Sequence, residues 1–132
     1  MNDTIVPDTN AIITLFKGNH LIANMLGTDK AVVVPATVCG EFEAGVQGKA
    51  KRDRVAMTAF NGLLSLDHVS VIPVTRRTGH IYAQLFAYLK QAGRPIPTND
   101  IWIAASALEC GGVLLTTDHH FQDIPNLQTM AY

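Results

Sequence analysis

The chain has little of several features that mark special classes of protein. It holds only two cysteines in 132 residues, Cys39 and Cys110, and they form no CxxC spacing. Both lie in apolar stretches, which favours reduced thiols over a disulfide framework or a zinc site. Charged residues make up 16% and aromatic residues 7% of the sequence, without low-complexity tracts, so the composition indicates neither disorder nor a linker.

Long hydrophobic runs are also lacking. No stretch approaches the ~20 consecutive apolar residues that cross a bilayer. The first ten residues, MNDTIVPDTN, have neither the basic segment nor the apolar core of a secretory signal. We therefore expect no membrane span, no signal peptide and a cytoplasmic location.

What the sequence does have is enough apolar surface for one core. A length of 132 residues fits the usual size of one compact domain, and 48% of the residues are hydrophobic. No internal repeat is visible. We expect a single domain that spans residues 1–132.

Positive charge is concentrated although the net charge is −1. Arg76 and Arg77 form a pair, and a second group falls within six residues. Each group is either a solvated helix face or a surface that contacts phosphates. The second group, called the basic segment below, consists of Lys49, Lys51, Arg52 and Arg54.

Short apolar runs alternate with longer stretches of helical period, which predicts an α/β fold with a mainly parallel sheet. Runs without polar alternation are typical of buried parallel strands. The predicted strands are residues 4–6, 31–34, 69–74 and 113–115, with a weaker fifth near 127–130. The predicted helices are residues 11–16, 38–46, 55–66, 79–91 and 101–110.

Turn-forming residues suggest where these helices begin and end. Gly93 and Gly111 are predicted helix stops. Thr98 and Asn99 are predicted caps of the helix that begins near Asp100, and an acid in that first turn would be favoured by the helix dipole.

Four acids are expected to meet at one edge of the sheet. Ligands bind outside the carboxyl ends of parallel strands, and Asp8 and Asp118 follow the first and fourth predicted strands. Glu41 and Asp100 come from helices near that edge. Each acid alone could be a helix cap or a surface charge. Together they would repel one another unless a cation joined them, which favours Mg²⁺, with Mn²⁺ also suitable.

Glu41 and Glu43 compete for one of these positions. Two residues on a helix differ by ~200° of rotation, so only one of them can face the site. Val38, Phe42 and Gly45 bracket Glu41 on the packed side, but periodicity alone leaves the choice open.

Such a site suits phosphodiester hydrolysis, because a bound cation activates water and stabilises charge on the phosphate. Asn10, Asn99 and Thr116 are the expected partners that orient the carboxylates. His119 and His120 directly follow Asp118. They are either a solvated pair in a polar turn, or a transition-metal ligand or proton donor.

The sequence resembles the PIN-domain ribonucleases, and within them the VapC-type toxins of prokaryotic toxin-antitoxin pairs. Four segments carry the resemblance in the family's order, and a fifth, IPNLQTMAY, is similar to the family's last strand. The four segments are VPDTNAII, GEFEAG, GRPIPTNDIWIAASAL and LLTTDHHF, of which the third is the most specific. The resemblance implies Asp8, Glu41, Asp100 and Asp118 as the catalytic and metal-binding acids, and thus selects Glu41 over Glu43.

The resemblance further implies a PIN-like three-layer fold, with a mainly parallel sheet of four to five strands flanked by helices. It implies a Mg²⁺-dependent endoribonuclease that forms a homodimer and is neutralised by a small antitoxin whose tail covers the acidic pocket. The basic segment is then a candidate RNA-binding surface. The chain departs from the family at Pro7, where we expect the first strand to end early, and at Gly40, which costs its helix ~1 kcal/mol.

Two alternatives compete with this interpretation. A haloacid dehalogenase-like phosphatase also places an Asp after its first strand, but it needs a second Asp two residues later, where this chain has Asn10. The other alternative is a non-catalytic member of the PIN fold that binds RNA or a protein.

Overall fold

Five parallel strands form one sheet in the computed structural model, which describes residues 3–132. The strand order is β3-β2-β1-β4-β5, so β1 lies in the centre. Helices flank the sheet, and the predicted three-layer α/β fold is confirmed. The predicted domain also includes residues 1 and 2, which lie outside the described residues. The strands are β1 (Thr4–Pro7), β2 (Ala31–Pro35), β3 (Val69–Ile72), β4 (Val113–Leu115) and β5 (Thr129–Met130).

The helices supply the crossovers that parallel strands require. The helices are α1 (Thr9–Phe16), α2 (His20–Met25), α3 (Ala36–Ala44), α4 (Lys51–Leu64), α5 (Arg76–Gln91) and α6 (Thr98–Cys110), with a 3₁₀ turn at His119–Phe121. The sequence did not predict α2. This helix has six residues and Ile22 is its one buried side chain, too little for a periodic pattern to show. In residues 3–132, no helix has both the length and the apolar character that crossing a bilayer requires.

The core lies on the central strands and on α6. Ile5 and Val6 of β1 are almost completely buried, as are all three residues of β4. Helix α6 buries Ile101 and all five residues of 103–107, three of which are alanines. Small side chains let this helix pack closely, and a helix that is apolar over most of its surface belongs in a core. The fold therefore holds α6, and with it Asp100, firmly beside the sheet.

Strand β1 does not end early, contrary to the expectation for Pro7. Pro7 belongs to β1 and lies in register with Leu115 of β4. The register with β2 covers only Thr4 and Ile5. The missing N–H of Pro7 costs little because β1 has already separated from β2 at this point.

The predicted capping of α6 was also wrong. Thr98 and Asn99 lie inside the first turn, after Pro97 at the cap position, which makes no side-chain hydrogen bond. Asp100 lies in that turn, as predicted. The glycine stops are confirmed, because Gly93 and Gly111 have the left-handed φ values of 69° and 68° that glycine adopts easily.

Helix α4 begins four residues earlier than predicted, at Lys51 rather than Val55. Its first turn holds three cations of the basic segment and a single acid, Asp53. Cations are unfavourable near the positive end of a helix dipole, and this is why no helix start was predicted there. The two cysteines are free and half-buried, and burial raises the pKa of both thiols.

Candidate active site

The end of the central strand places Asp8 at the edge of the sheet. Its backbone N–H donates to the Leu115 carbonyl at 3.1 Å, which ties it to the end of β4. Its Oδ1 accepts the Ala11 N–H at 2.8 Å and so caps α1. The residue is only 4% exposed. Asp8 is thus a helix cap, and it is also a carboxylate held out of water beside other acids.

Asp118 emerges from the neighbouring strand end. Its backbone N–H donates to Thr116 Oγ1 at 2.9 Å, and its Oδ1 accepts the His120 N–H at 2.9 Å, which caps the 3₁₀ turn. Thr116 is buried and also hydrogen-bonds the Asp8 side chain. One threonine therefore contacts both Asp8 and the backbone of Asp118.

Asp100 reaches the same place from the first turn of α6, with its side chain 17% exposed. Its Oδ2 lies 2.8 Å from His120 Nδ1, and this nitrogen lies 3.2 Å from Asp118 Oδ1. One donor atom from each of Asp100, Asp118 and His120 falls within 4.8 Å of the others. Two segments distant in sequence, the first turn of α6 and the 3₁₀ turn with its cap, meet here.

Glu41 is held between α1 and α6. Its Oε1 accepts a hydrogen bond from the Thr9 hydroxyl, and its Oε2 accepts one from Asn99 Nδ2 at 3.1 Å. Glu43 instead acts on its helix neighbour Cys39, since its charge raises the pKa of that thiol. Glu41 also lies close enough to Asp100 for its charge to add to the main effect of burial in raising the pKa of that acid.

The electrostatics show that these carboxylates share one field. Burial is the largest cause that raises the pKa of Asp8, and the charges of Asp118 and Asp100 raise it further, against the hydrogen bonds from Thr116 and the Ala11 N–H. Burial also raises the pKa of Asp100, which the His120 hydrogen bond lowers and the charges of Asp118 and Glu41 raise. Ionisation of both groups is disfavoured while no cation is present.

The orienting groups differ in part from the prediction. Asn99 contacts Glu41 as expected of a supporting residue. Asn10 is exposed, and within residues 3–132 its side chain makes no hydrogen bond to any of the four acids. Thr9, one position earlier, contacts Glu41 in its place. Rotation about a new helix decides between neighbours, and the start of α1 was not certain enough in the sequence to fix it.

The two histidines separate clearly. His120 contacts two acids, whereas His119 Nδ1 lies 3.3 Å from the Gln122 side chain. The spacing from Asp118 to His120 was the available signal, because a cap and its second following residue approach each other in a tight turn. Because two histidines stand side by side in a polar stretch, the sequence did not show which of them approaches the acids.

An apolar groove of about 280 Å³ borders Glu41. Ala56 of α4 also lines it, so the groove lies between Glu41 and the helix that begins in the basic segment. All four cations of that segment are exposed. The full lining is Ile13, Phe16, Lys17, Glu41, Phe42, Gly45, Val46 and Ala56.

The donor set fits a divalent cation. Carboxylate oxygens are the ligands that Mg²⁺ and Mn²⁺ prefer, and a positive ion would remove the repulsion that raises the pKa values of Asp8 and Asp100. Acids clustered at the carboxyl edge of a parallel sheet place this chain in the class of α/β proteins whose ligand site lies at the strand ends.

The family can be stated more closely. The family described as PIN domain matches residues 5–127, so this chain belongs to the PIN-domain family. The chain is 32% identical over 127 residues to Ribonuclease VapC1 of Haemophilus influenzae strain R2866, covering 92% of each protein. It is 28% identical over 116 residues to Ribonuclease VapC5 of Mycobacterium tuberculosis, covering 88% of this chain and 84% of the relative.

Solved structures agree with this assignment. VapBC-1 from nontypeable Haemophilus influenzae has a TM-score of 0.82 at 29% identity and 97% coverage of both chains. VapBC2 from Rickettsia felis, bound to a promoter DNA fragment, has a TM-score of 0.85 over 97% of this chain and 98% of that one, and its 24% identity supports the fold alone. The predicted PIN-domain resemblance, with VapC-type relatives, is confirmed.

Proposed function

We propose that this chain is a divalent-metal-dependent endoribonuclease that hydrolyses RNA phosphodiester bonds and acts as the toxin of a type II toxin-antitoxin pair. One observation carries the proposal: acids from separate elements meet at the edge of the sheet, with carboxylate oxygens of Asp100 and Asp118 within 4.8 Å of each other. Capping accounts for Asp8 and Asp118 singly, but it does not require oxygens of Asp100 and Asp118 to lie this close together. The relatives named as VapC ribonucleases support the choice of RNA as substrate.

Asp8, Asp100 and Asp118 would hold Mg²⁺ or Mn²⁺, with Glu41 as the fourth acid. Such an ion, when bound, stabilises negative charge that develops on the phosphate and makes water more acidic. The chain's own residues prepare the site for it. Thr116 joins Asp8 to the Asp118 backbone, and this bridge sets the spacing of the two acids.

Glu41 is restrained at both oxygens by Thr9 and Asn99. A carboxylate held by two donors loses little conformational freedom when substrate or cation arrives, so its charge is already in position. Asn99, which donates to Glu41, is adjacent to Asp100 in α6. A shift of the start of α6 would therefore disturb the positions of both Glu41 and Asp100.

The basic segment is proposed to contact the RNA backbone. Within residues 3–132 its four cations form no ion pair, so their charge is available to phosphates. The groove beside Glu41 extends to Ala56, less than two turns from the start of α4. A strand lying along this surface would pass from the cations to the acids.

A small antitoxin is the proposed protein partner, with a tail that covers the acidic pocket. Several structural neighbours are described as VapBC assemblies or toxin-antitoxin complexes. A short DNA-binding protein encoded beside this chain, which on co-expression abolishes cleavage, is the expected finding. The homodimer stays a prediction, which light scattering on the purified chain would test.

Cleavage of a mixture of transfer, ribosomal and messenger RNA tests the enzymatic proposal. Asp100→Asn removes one charge while keeping the side-chain shape, and we expect cleavage to fall on the order of a hundredfold or more. Glu109→Gln is the matched control, because it neutralises a carboxylate at the other end of the same helix. It should cut within about twofold of wild type on the same scale.

Three results would contradict the proposal. Undiminished cleavage by Asp100→Asn would remove the acid from the reaction. Cleavage that continues after chelation would remove the cation. Wild-type protein that binds RNA without cutting it would favour the non-catalytic alternative, and a phosphorylated Asp8 trapped with a phosphate ester would favour the phosphatase.

A further inference from the structure

The backbone at His120 is held in place on both sides, which a histidine that only contacts solvent would not require. Its backbone N–H donates to Asp118 Oδ1 at 2.9 Å, and the next residue, Phe121, is 1% exposed. The 3₁₀ turn is therefore fixed on one side by the cap and on the other by a core side chain. This turn directs the imidazole back over Asp100 and Asp118.

The distances between the donor atoms match those of ligands that share an ion. His120 Nδ1 lies 2.8 Å from Asp100 Oδ2 and 3.2 Å from Asp118 Oδ1. Ligand atoms about 2.1 Å from an octahedral ion and at right angles to each other lie about 3.0 Å apart. The three donor atoms thus need only small movements to face a common centre.

Stability offers no reason for this arrangement. The His120 side chain is 45% exposed, so solvent screens its contacts with Asp100 and Asp118 and these contribute little to folding. His119 has the same side chain one residue away and reaches only Gln122. The two histidines therefore form a natural pair for comparison, one at the acids and one away from them.

We propose that His120 is a nitrogen ligand of the same metal site, and that it makes the site prefer Mn²⁺ or a related first-row transition ion over Mg²⁺. This inference rests on the proposed function, since it assumes that the acids hold a cation. Asp100 and Asp118 supply oxygen to either ion. The His120 imidazole is the ligand for which Mn²⁺ and Mg²⁺ differ in affinity.

The selectivity follows from ligand chemistry. Mg²⁺ is a hard ion that keeps several waters and accepts oxygen ligands, so it gains little from an imidazole. First-row transition ions bind imidazole well, and Mn²⁺ also accepts the carboxylates that surround His120. Replacing the ring should therefore weaken Mn²⁺ binding much more than Mg²⁺ binding.

Metal binding by the purified full chain tests the inference without reference to RNA cleavage. Free Mn²⁺ is followed by its paramagnetic resonance signal during titration of wild type, His120→Ala and His119→Ala, and Mg²⁺ is measured by competition. We expect His120→Ala to weaken Mn²⁺ binding about tenfold and Mg²⁺ binding less than about twofold. His119→Ala should bind both ions as wild type does.

A spectroscopic readout separates coordination from a structural effect. Pulsed resonance of bound Mn²⁺ should show coupling to a histidine nitrogen in wild type and in His119→Ala, and this coupling should vanish in His120→Ala. His120→Asp replaces the nitrogen ligand by oxygen, so it should keep a bound ion and restore the preference for Mg²⁺. The unfolding midpoints of the metal-free variants should agree within a few degrees.

The possible failures are distinguishable. Wild type that binds neither ion at millimolar concentration would overturn the proposed function, and this inference with it. Wild type that binds Mn²⁺ without nitrogen coupling would overturn the inference alone. Tighter binding of both ions by His120→Ala would also overturn it, because the ring would then compete with the ion for the carboxylates.

Discussion

The two ends of α6 use carboxylates in opposite ways. At its beginning, Asp100 lies near Asp118 and Glu41, whose charges raise its pKa. At its end, Glu109 accepts a hydrogen bond from the buried Thr78 hydroxyl of α5 at 2.6 Å. The first acid is placed against like charges, and the second is placed against a neutral donor. On the proposed function, one end of the helix serves a cation and the other serves the fold.

Thr78→Val should remove the hydrogen bond to Glu109 at the end of α6, and of these substitutions it should have the largest effect on stability. The Thr78 hydroxyl donates to Glu109 and accepts the Thr75 N–H at 3.0 Å in a capping box that begins α5. Valine keeps the shape and leaves both partners without their hydrogen bond. We expect a loss of about 2 kcal/mol in the free energy of unfolding, measured by urea denaturation.

Its control is cleavage by the folded variant. Thr78→Val should retain the RNA cleavage rate of wild type at a temperature where both are folded. A variant that is fully stable but inactive would reverse the comparison, since it would move the functional role to the far end of the helix.

Asp8→Asn should act in the opposite direction on stability. Asparagine keeps an oxygen that can cap α1 through the Ala11 N–H, and it removes a buried charge. The metal-free variant should be more stable than wild type by roughly 1 kcal/mol at neutral pH, as is common when a functional group is removed. The same substitution should abolish cleavage.

The pH dependence of this gain follows from the raised pKa of Asp8. Protonated Asp8 suits the folded state, so its contribution to stability is complete below its ordinary pKa of 3.8 and is lost as pH rises through the raised value. The Asp8→Asn variant has no titrating group at this position, so its stability has no such dependence on pH. The stability difference between metal-free Asp8→Asn and wild type should therefore grow as pH rises from about 4 and then level off. A difference that is independent of pH would mean that Asp8 is not desolvated.

The meeting of acids near Asp100 is easier to predict from the sequence than the contact between Glu109 and Thr78. Asp8 and Asp118 follow parallel strands, and parallel strands end at a common edge, so their meeting could be predicted from chain order alone. Thr78 and Glu109 meet because two helices pack, and that contact depends on helix rotation and crossing angle. No short motif encodes it.

The same limit applies to the polar residues that contact the acids. Thr9 rather than Asn10 contacts Glu41, and His120 rather than His119 reaches the acids. Sequence analysis named Asn10 without Thr9 and left His119 and His120 open, and the local turn decides which neighbour makes the contact. Backbone rotation of about 100° per residue separates a ligand from a solvated side chain, and the sequence does not fix a helix start to within one residue.

Substitutions in the basic segment test whether RNA lies beside the acids at the start of α6. Lys51→Ala combined with Arg52→Ala should weaken RNA binding severalfold at low salt and reduce the slope of log affinity against log salt by about 1.4, if each cation neutralises one phosphate of a single strand. Arg76→Ala combined with Arg77→Ala is the matched control pair. An unchanged slope in the first variant would remove the basic segment from the interface.

Ser106→Ala gives the smallest expected effect and sharpens the structural side of the comparison. Ser106 lies in α6 between its two ends, is fully buried, and its hydroxyl has no hydrogen-bond partner among residues 3–132. A buried hydroxyl without a partner costs free energy, and alanine also has the higher helix propensity. We expect a gain of about 0.5 kcal/mol in unfolding free energy, with cleavage unchanged. Thr78→Val and Ser106→Ala each delete one buried hydroxyl, so opposite signs would show that hydrogen bonding rather than burial decides the stability of this helix pair.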